Sequence, residues 1–168
     1  MRLLPVMKQL LQFLSETESP LMVNTNPFDT YVDNPLKVAL NYVLFGVNKA
    51  LFHDDCKAYS NLFDATVDAL VAAMQKQGFP KIPVMVTATG WPTKRKTAAT
   101  PEKAAAYAQG IIDKVVKGVG TPMRPRDTVE VFSSNLFDQN KKEGKEYENH
   151  FGIFNVDGNR ILKISFVP

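Results

Sequence analysis

The tightest limit on the fold lies between residues 63 and 115, where two helix-like patterns flank one strand-like run. Phe63, Val67, Leu70, Val71 and Met74 recur at helical spacing and stop near Gly78 and Pro80. The stretch "VMVTATGWP" follows, and its near-continuous apolar character over 82–88 suits a parallel strand covered on both faces. Thr100 and Pro101 then make a helix start, as cap and first-turn proline. Tyr107, Ala108, Ile111, Ile112 and Val115 give that helix its apolar face, with Gly118 and Gly120 near its end. Helix, parallel-type strand and helix in succession predict an α/β fold.

The flanking sequence extends the alternation. Val6, Leu10, Phe13 and Leu14 fall on one helical face after Pro5, so the first residues predict a core-facing helix. Lys8, Gln9 and Gln12 interrupt the apolar run and no small-residue cleavage site follows, which argues against a signal peptide. Residues 19–28 read as a short buried strand entering a loop. Residues 29–60, with aspartates, Pro35 and Gly46, read as a long loop excursion. A third strand is expected within 127–137, and an aromatic-rich turn around Asp157 and Gly158 closes the chain. The 168 residues fit one domain, 1–168.

Charge and composition exclude several classes of function. Twenty basic residues against seventeen acidic ones leave a net charge of +3. The only basic runs, 93–96 and 140–145, sit in loop-like sequence and read as solvated charge, so no nucleic-acid partner is expected. No apolar run approaches the roughly 18 residues of a membrane span. Cys56 is the sole cysteine and reads as an inert thiol. His53, Asp54, Asp55 and Cys56 are consecutive, whereas zinc ligands are spaced apart, so neither metal nor cofactor is expected. Asp64 and Asp68 read as solvated carboxylates on one helix face, and His150 as a packed or half-exposed side chain rather than a base.

Four segments carry a resemblance over almost the whole chain: "FLSETESPLMVNTNPFDTYVDNP", "NLFDATVDALVAAMQKQG", "VMVTATGWPTK" and "NLFDQNKKEGKEYENHFGIFNVDG". In that order they resemble plant endo-β-1,3-glucanases of glycoside hydrolase family 17. The resemblance implies a (β/α)₈ barrel with its chemistry at the carboxyl ends of the strands. It makes 21–26 similar to strand six, 82–88 to strand seven and 128–134 to strand eight. The chain then reads as the C-terminal part of such a barrel. Strands one to five are not among these residues, and the fourth carries the family's general acid.

Retaining glycosidases need two carboxyl groups about 5 Å apart, an acid/base and a nucleophile. The family nucleophile is the glutamate of "SETGWP", and the matching residue here is Ala88. Gln139 stands at a second family glutamate position. Asn26, Asp29 and Ser134 stand where the family pattern has aromatic rings, on which sugars pack. Trp91, Phe137, Lys142 and Glu148 match the family, and with Gln139 they form the substrate-binding set that the resemblance implies. Trp91 reads either as a sugar platform or as a brace for its loop. Lys142 and Glu148 read either as part of a substrate-site charge network or as a surface ion pair.

Three readings follow from the resemblance. The chain is a β-1,3-glucan endohydrolase by kinship, deficient because no catalytic carboxylate is intact. It is a non-catalytic β-1,3-glucan-binding module. Or it is a remnant that self-associates, or meets a partner chain, through exposed barrel edges. The family implies an extracellular or cell-wall setting, and the location of this chain stays open.

Overall fold

The computed structural model describes residues 3–167. Its elements are α1 (Leu4–Glu16), β1 (Leu21–Asn24), α2 (Pro27–Asp33), α3 (Leu40–Val43), β2 (Phe52–Asp54), β3 (Lys57–Tyr59), α4 (Leu62–Lys76), β4 (Val84–Thr89), α5 (Pro101–Val116) and β5 (Glu130–Ser133). A 3₁₀ turn, Glu146–Asn149, precedes the closing segment. No helix among the described residues is long and apolar enough to cross a membrane.

Three parallel strands in the order β1-β4-β5 form the sheet. Parallel neighbours need helical crossovers, and the segment carrying α4 links β1 to β4 while α5 links β4 to β5. Leu21, Val84 and Val86 on one sheet face join Phe63, Val67, Val71, Met74, Tyr107 and Ile111 of the two helices in a single core. The arrangement is an open arc of parallel α/β barrel, not a closed one, with an antiparallel hairpin (β2–β3) appended. The expectation of a partial (β/α) barrel holds at this level.

Side-chain caps fix where the helices begin. Thr100 accepts from the Lys103 amide at 3.3 Å, as its position before Pro101 predicts. Asn61 starts α4 in the same manner, accepting from the Asp64 amide at 2.8 Å.

Local pattern and structure part company in three places. The stretch 29–60 is not wholly irregular: it holds most of α2, then α3 and the β2–β3 hairpin. These elements are shorter than the windows over which periodicity can be read. In α1 the expected core face is turned outward: Val6, Leu10 and Phe13 are exposed, while Leu11 is buried and Leu14 half-buried. The helix is apolar on two sides, and among the described residues only one of them is packed.

Asp64 and Asp68, expected in water, are buried. Asp64 Oδ1 pairs with Lys114 of α5 at 2.9 Å, and Asp68 Oδ2 accepts from the Tyr59 hydroxyl at 3.1 Å and the Met123 amide at 2.8 Å. Their side of α4 faces α5 and the loop after it. Buried carboxylates survive there because each has donors or a counter-charge.

Candidate functional site

A cleft of about 290 Å³ opens at the carboxyl ends of the three parallel strands. Asn24, Thr25 and Asn26 line it after β1, Ala88, Thr89 and Gly90 at the end of β4, and Ser134 and Asn135 after β5. Lys142, Glu148 and Phe151 close it from the last part of the chain.

The end of β4 is held by its neighbours on either side of Ala88. The pairing with β1 skips a residue there, since Val23 faces Val86 but Asn24 faces Ala88. Such a bulge re-aims side chains at a strand end. Thr87 Oγ1 lies 2.9 Å from Asn24 Oδ1 and 3.2 Å from the Val23 carbonyl. Thr89 Oγ1 meets the Tyr107 hydroxyl at 2.7 Å within the core. Burial raises the Tyr107 pKa far above the ordinary phenol value, so this hydroxyl stays neutral. Gly90 follows because nothing larger fits: a Cβ there would lie 2.3 Å from the Ser134 carbonyl oxygen. The frame is complete, and what it presents to the cleft at position 88 is a methyl group.

Trp91 is packed inside its loop and is absent from the cleft lining. It is 2% exposed, its Nε1 donates to the Ala98 carbonyl at 2.9 Å, and its ring packs edge-on to Phe28 at 4.9 Å. The loop after it is tied to the closing segment where the Thr93 amide donates to the His150 carbonyl at 2.8 Å.

Lys142 and Glu148 come together at 3.4 Å on the cleft wall and are its only charged lining residues. Both side chains remain partly in water, so the pair is a modest contributor to stability. Gln139 is exposed and lines a shallow extension with Asn135, Lys141 and Lys142, which the cleft shares at Asn135 and Lys142. Phe137 lies outside the cleft lining, half-exposed and stacked at 5.7 Å on Phe154.

Asn26 and Asp29 make structural contacts. Asn26 caps α2, and Asp29 accepts a short hydrogen bond from the Tyr147 hydroxyl, with Lys145 at 3.9 Å. Burial, and after it the Asp29 bond, raises the Tyr147 pKa. Close by, Asp138 is buried and accepts from the Gly152 amide at 2.9 Å, with His150 Nδ1 at 3.1 Å. His150 is therefore part of the clasp that shapes the closing segment.

Sequence reasoning passed over Asn24, Thr25, Asn135 and Phe151. The first three sit at or just past the ends of β1 and β5. That position alone marks a residue for the active face of a parallel barrel. A second hollow of about 180 Å³ lies toward the opposite ends of the strands, lined by Val67, Val71, Val84 and Arg124. The Arg124 guanidinium there already donates to the Pro80 and Ile82 carbonyls at 2.6 and 2.8 Å, which makes it a structural tie.

Taken as chemistry, the cleft offers amides and hydroxyls suited to a polyol, one aromatic ring, and one carboxylate already beside a lysine. It holds no pair of free carboxyl groups.

Comparison with known proteins identifies the family. The model of the family described as glycosyl hydrolases family 17 matches residues 2–166. The chain is 38% identical over 164 residues to glucan endo-1,3-beta-glucosidase 12 of Arabidopsis thaliana, covering 95% of this chain and 31% of that protein. It is 36% identical over 157 residues to the acidic isoform PR-O of glucan endo-1,3-beta-glucosidase from Nicotiana tabacum, covering 94% of this chain and 96% of that one. A solved structure of a beta-1,3-glucanase and allergen of Cryptomeria japonica pollen superposes with a TM-score of 0.93 at 38% identity, over 98% of this chain and 51% of its own. The chain thus spans about a third of the Arabidopsis relative and about half of the solved structure.

Proposed function

The chain belongs to glycosyl hydrolases family 17, and we propose that within it this is a glucan endo-1,3-β-glucosidase-like protein that recognises β-1,3-linked glucan without hydrolysing it. Residues 1–168 correspond on this reading to the C-terminal portion of the barrel, with β1, β4 and β5 in the places of strands six, seven and eight.

The observation that carries the reading is Ala88. It lines the middle of the cleft, on the bulged end of β4, with its supports at Thr87, Thr89 and Gly90 intact. A methyl group can neither attack an anomeric carbon nor stabilise an oxocarbenium ion. Retention needs two carboxyl groups about 5 Å apart, and the cleft lining holds only Glu148, engaged with Lys142.

Recognition asks less of the site. Asn24, Asn135 and Ser134 offer hydrogen bonds to sugar hydroxyls, Phe151 offers a ring, and Lys142 with Glu148 offers a polarised edge. Gln139 and Phe137 extend the surface beyond the cleft, and Trp91 contributes by holding the loop.

Prolonged incubation with a β-1,3-linked glucose hexamer, followed by assay of new reducing ends, tests the deficiency. No release above the protein-free control is expected. Steady release that scales with protein concentration overturns it.

A further inference from the structure

Two basic runs far apart in the sequence, 93–96 and 140–145, belong to segments that meet beside the cleft. The Thr93 amide and hydroxyl both donate to the His150 carbonyl, Lys94 lies 4.0 Å from Asp138, and Arg95 lies 3.2 Å from Glu146. These contacts engage most acids of the region. Asp138 is buried against His150 and the Gly152 amide, Glu146 holds Arg95, Glu148 holds Lys142, and Asp29 is shared by Tyr147 and Lys145. Glu143 is the exception, exposed and outside the lining of both the cleft and its extension.

That extension continues the cleft past Asn135 and Lys142, has a volume of about 510 Å³, and is lined besides by Gln139, Asn140 and Lys141. Its side chains are three amides and two ammonium groups, with no carboxylate. Lys142 is balanced by Glu148, whereas Lys141 pairs with no carboxylate among the described residues. Gln139 stands where the resemblance would place a glutamate, so the one acid expected on this wall is an amide.

We propose that the extension is a subsite for a sugar carboxylate, and that the glycan this cleft takes is a β-1,3-linked glucan carrying a hexuronate unit. A glucuronate differs from glucose only in its primary alcohol, oxidised to a carboxylate, so the ring and linkage presented to the cleft are unchanged. Lys141 supplies the counter-charge, and the amides of Asn135, Gln139 and Asn140 supply donors, which bind an ionised acceptor more strongly than a neutral one. One unbalanced ammonium matches a monoanion. A phosphorylated polymer would favour the forked donors of arginine, and Arg95 on this rim is already engaged by Glu146. The inference rests on the reading of the cleft as a glucan site, and the test separates the two.

Isothermal titration compares a β-1,3-linked glucose hexamer with two analogues, one carrying a single glucuronate unit at the non-reducing end and the other at the reducing end. Each is measured at about 20 mM and about 500 mM sodium chloride, since contacts between exposed charges are screened by salt. One analogue is expected to bind roughly threefold to tenfold more tightly than the neutral hexamer at low salt, as an exposed charge pair allows, and to lose the advantage at high salt. Lys141→Gln should erase that advantage, and Gln139→Glu should turn it into a deficit. Both side chains are exposed, so the melting temperature of the sugar-free variants should hold, which separates a lost subsite from a lost fold. No advantage for either analogue, an equal advantage for both, or one that survives Lys141→Gln overturns the inference and leaves glucan recognition standing. Binding of one analogue without the neutral hexamer upholds the inference and overturns recognition of the unmodified glucan. Binding of none of the three overturns both.

Discussion

Asn26 and Asp29 cap α2 reciprocally: the Asp29 amide donates to Asn26 Oδ1 at 3.3 Å, and Asn26 Nδ2 donates to Asp29 Oδ2 at 2.6 Å. Asn61 and Asp64 repeat the arrangement on α4 at 2.8 and 2.9 Å. At 26 and 29 the resemblance would place aromatic rings, so the two departures act as one polar unit. Asp29 then reaches the Tyr147 hydroxyl and joins α2 to the closing segment.

That coupling is measurable. Asn26→Ala and Asp29→Ala should each cost about 1 kcal/mol as cap losses. The double variant should cost less than their sum by about 0.5 kcal/mol or more, because both remove the same bond. Urea unfolding of the four proteins checks it, and strict additivity would show the side chains to be independent.

Trp91 is the only tryptophan, and its burial makes it a reporter of the loop rather than of ligand contact. Its emission should resemble that of a tryptophan in an apolar interior, resist iodide quenching, and shift little when a β-1,3-glucose oligomer is added. Strong quenching or a large spectral change on oligomer addition would place the ring against sugar and contradict the bracing role.

The buried group around Asp68 should dominate local stability. Asp68→Ala leaves the Tyr59 hydroxyl and the Met123 amide without their acceptor and should cost about 2–4 kcal/mol, whereas Tyr59→Phe should cost about 1 kcal/mol. Burial, and next the bond to Asp68, push the Tyr59 pKa from 10.0 up to about 12. An unfolded chain would release this proton near pH 10 while the folded chain retains it. The contribution is therefore fully present below pH 10 and is lost as pH rises from 10 toward 12. Unfolding curves between pH 9 and about 12 should show that decline, less steeply in Tyr59→Phe; equal slopes in both proteins would contradict it.

Lys142 and Glu148 separate binding from stability. Because both are partly solvated, Glu148→Gln should change unfolding free energy by less than about 1 kcal/mol. Its place on the cleft wall should make the same change weaken oligomer binding by roughly threefold to tenfold. Isothermal titration beside thermal melts distinguishes the two. A large loss of stability with unchanged binding would make the pair a structural tie.

The sequence carried the fold wherever local pattern and final environment coincide. The run at Val84–Thr89 reads as a strand from its own residues, although Val84 and Val86 are buried against the helices while Met85 and Thr87 on the other face are only half-buried, and Thr100 caps α5 through atoms three residues away. Asp64 and Asp68 defeated the same reading because their partners, Lys114, Tyr59 and Met123, are set by tertiary packing. The outward turn of α1 was hidden for a related reason: a helix apolar on two sides does not reveal which side has a neighbour. In the site, Ala88 was legible because it lies at the carboxyl end of a strand, while the burial of Trp91 was not. Its bond to the Ala98 carbonyl depends on how the following loop folds back.

The proposed function requires a cleft that accepts glucan without cutting it. The most direct measurement is calorimetric unfolding with and without a β-1,3-linked glucose hexamer, with the sugar recovered and sized afterwards. Ligand at a hundredfold excess over its dissociation constant adds about 2.7 kcal/mol, or roughly 5–10 °C for a chain of this size. The account predicts an upward shift that saturates with hexamer concentration, and intact hexamer at the end. An unmoved transition up to the solubility limit of the hexamer, or recovery of shorter oligomers, would contradict it.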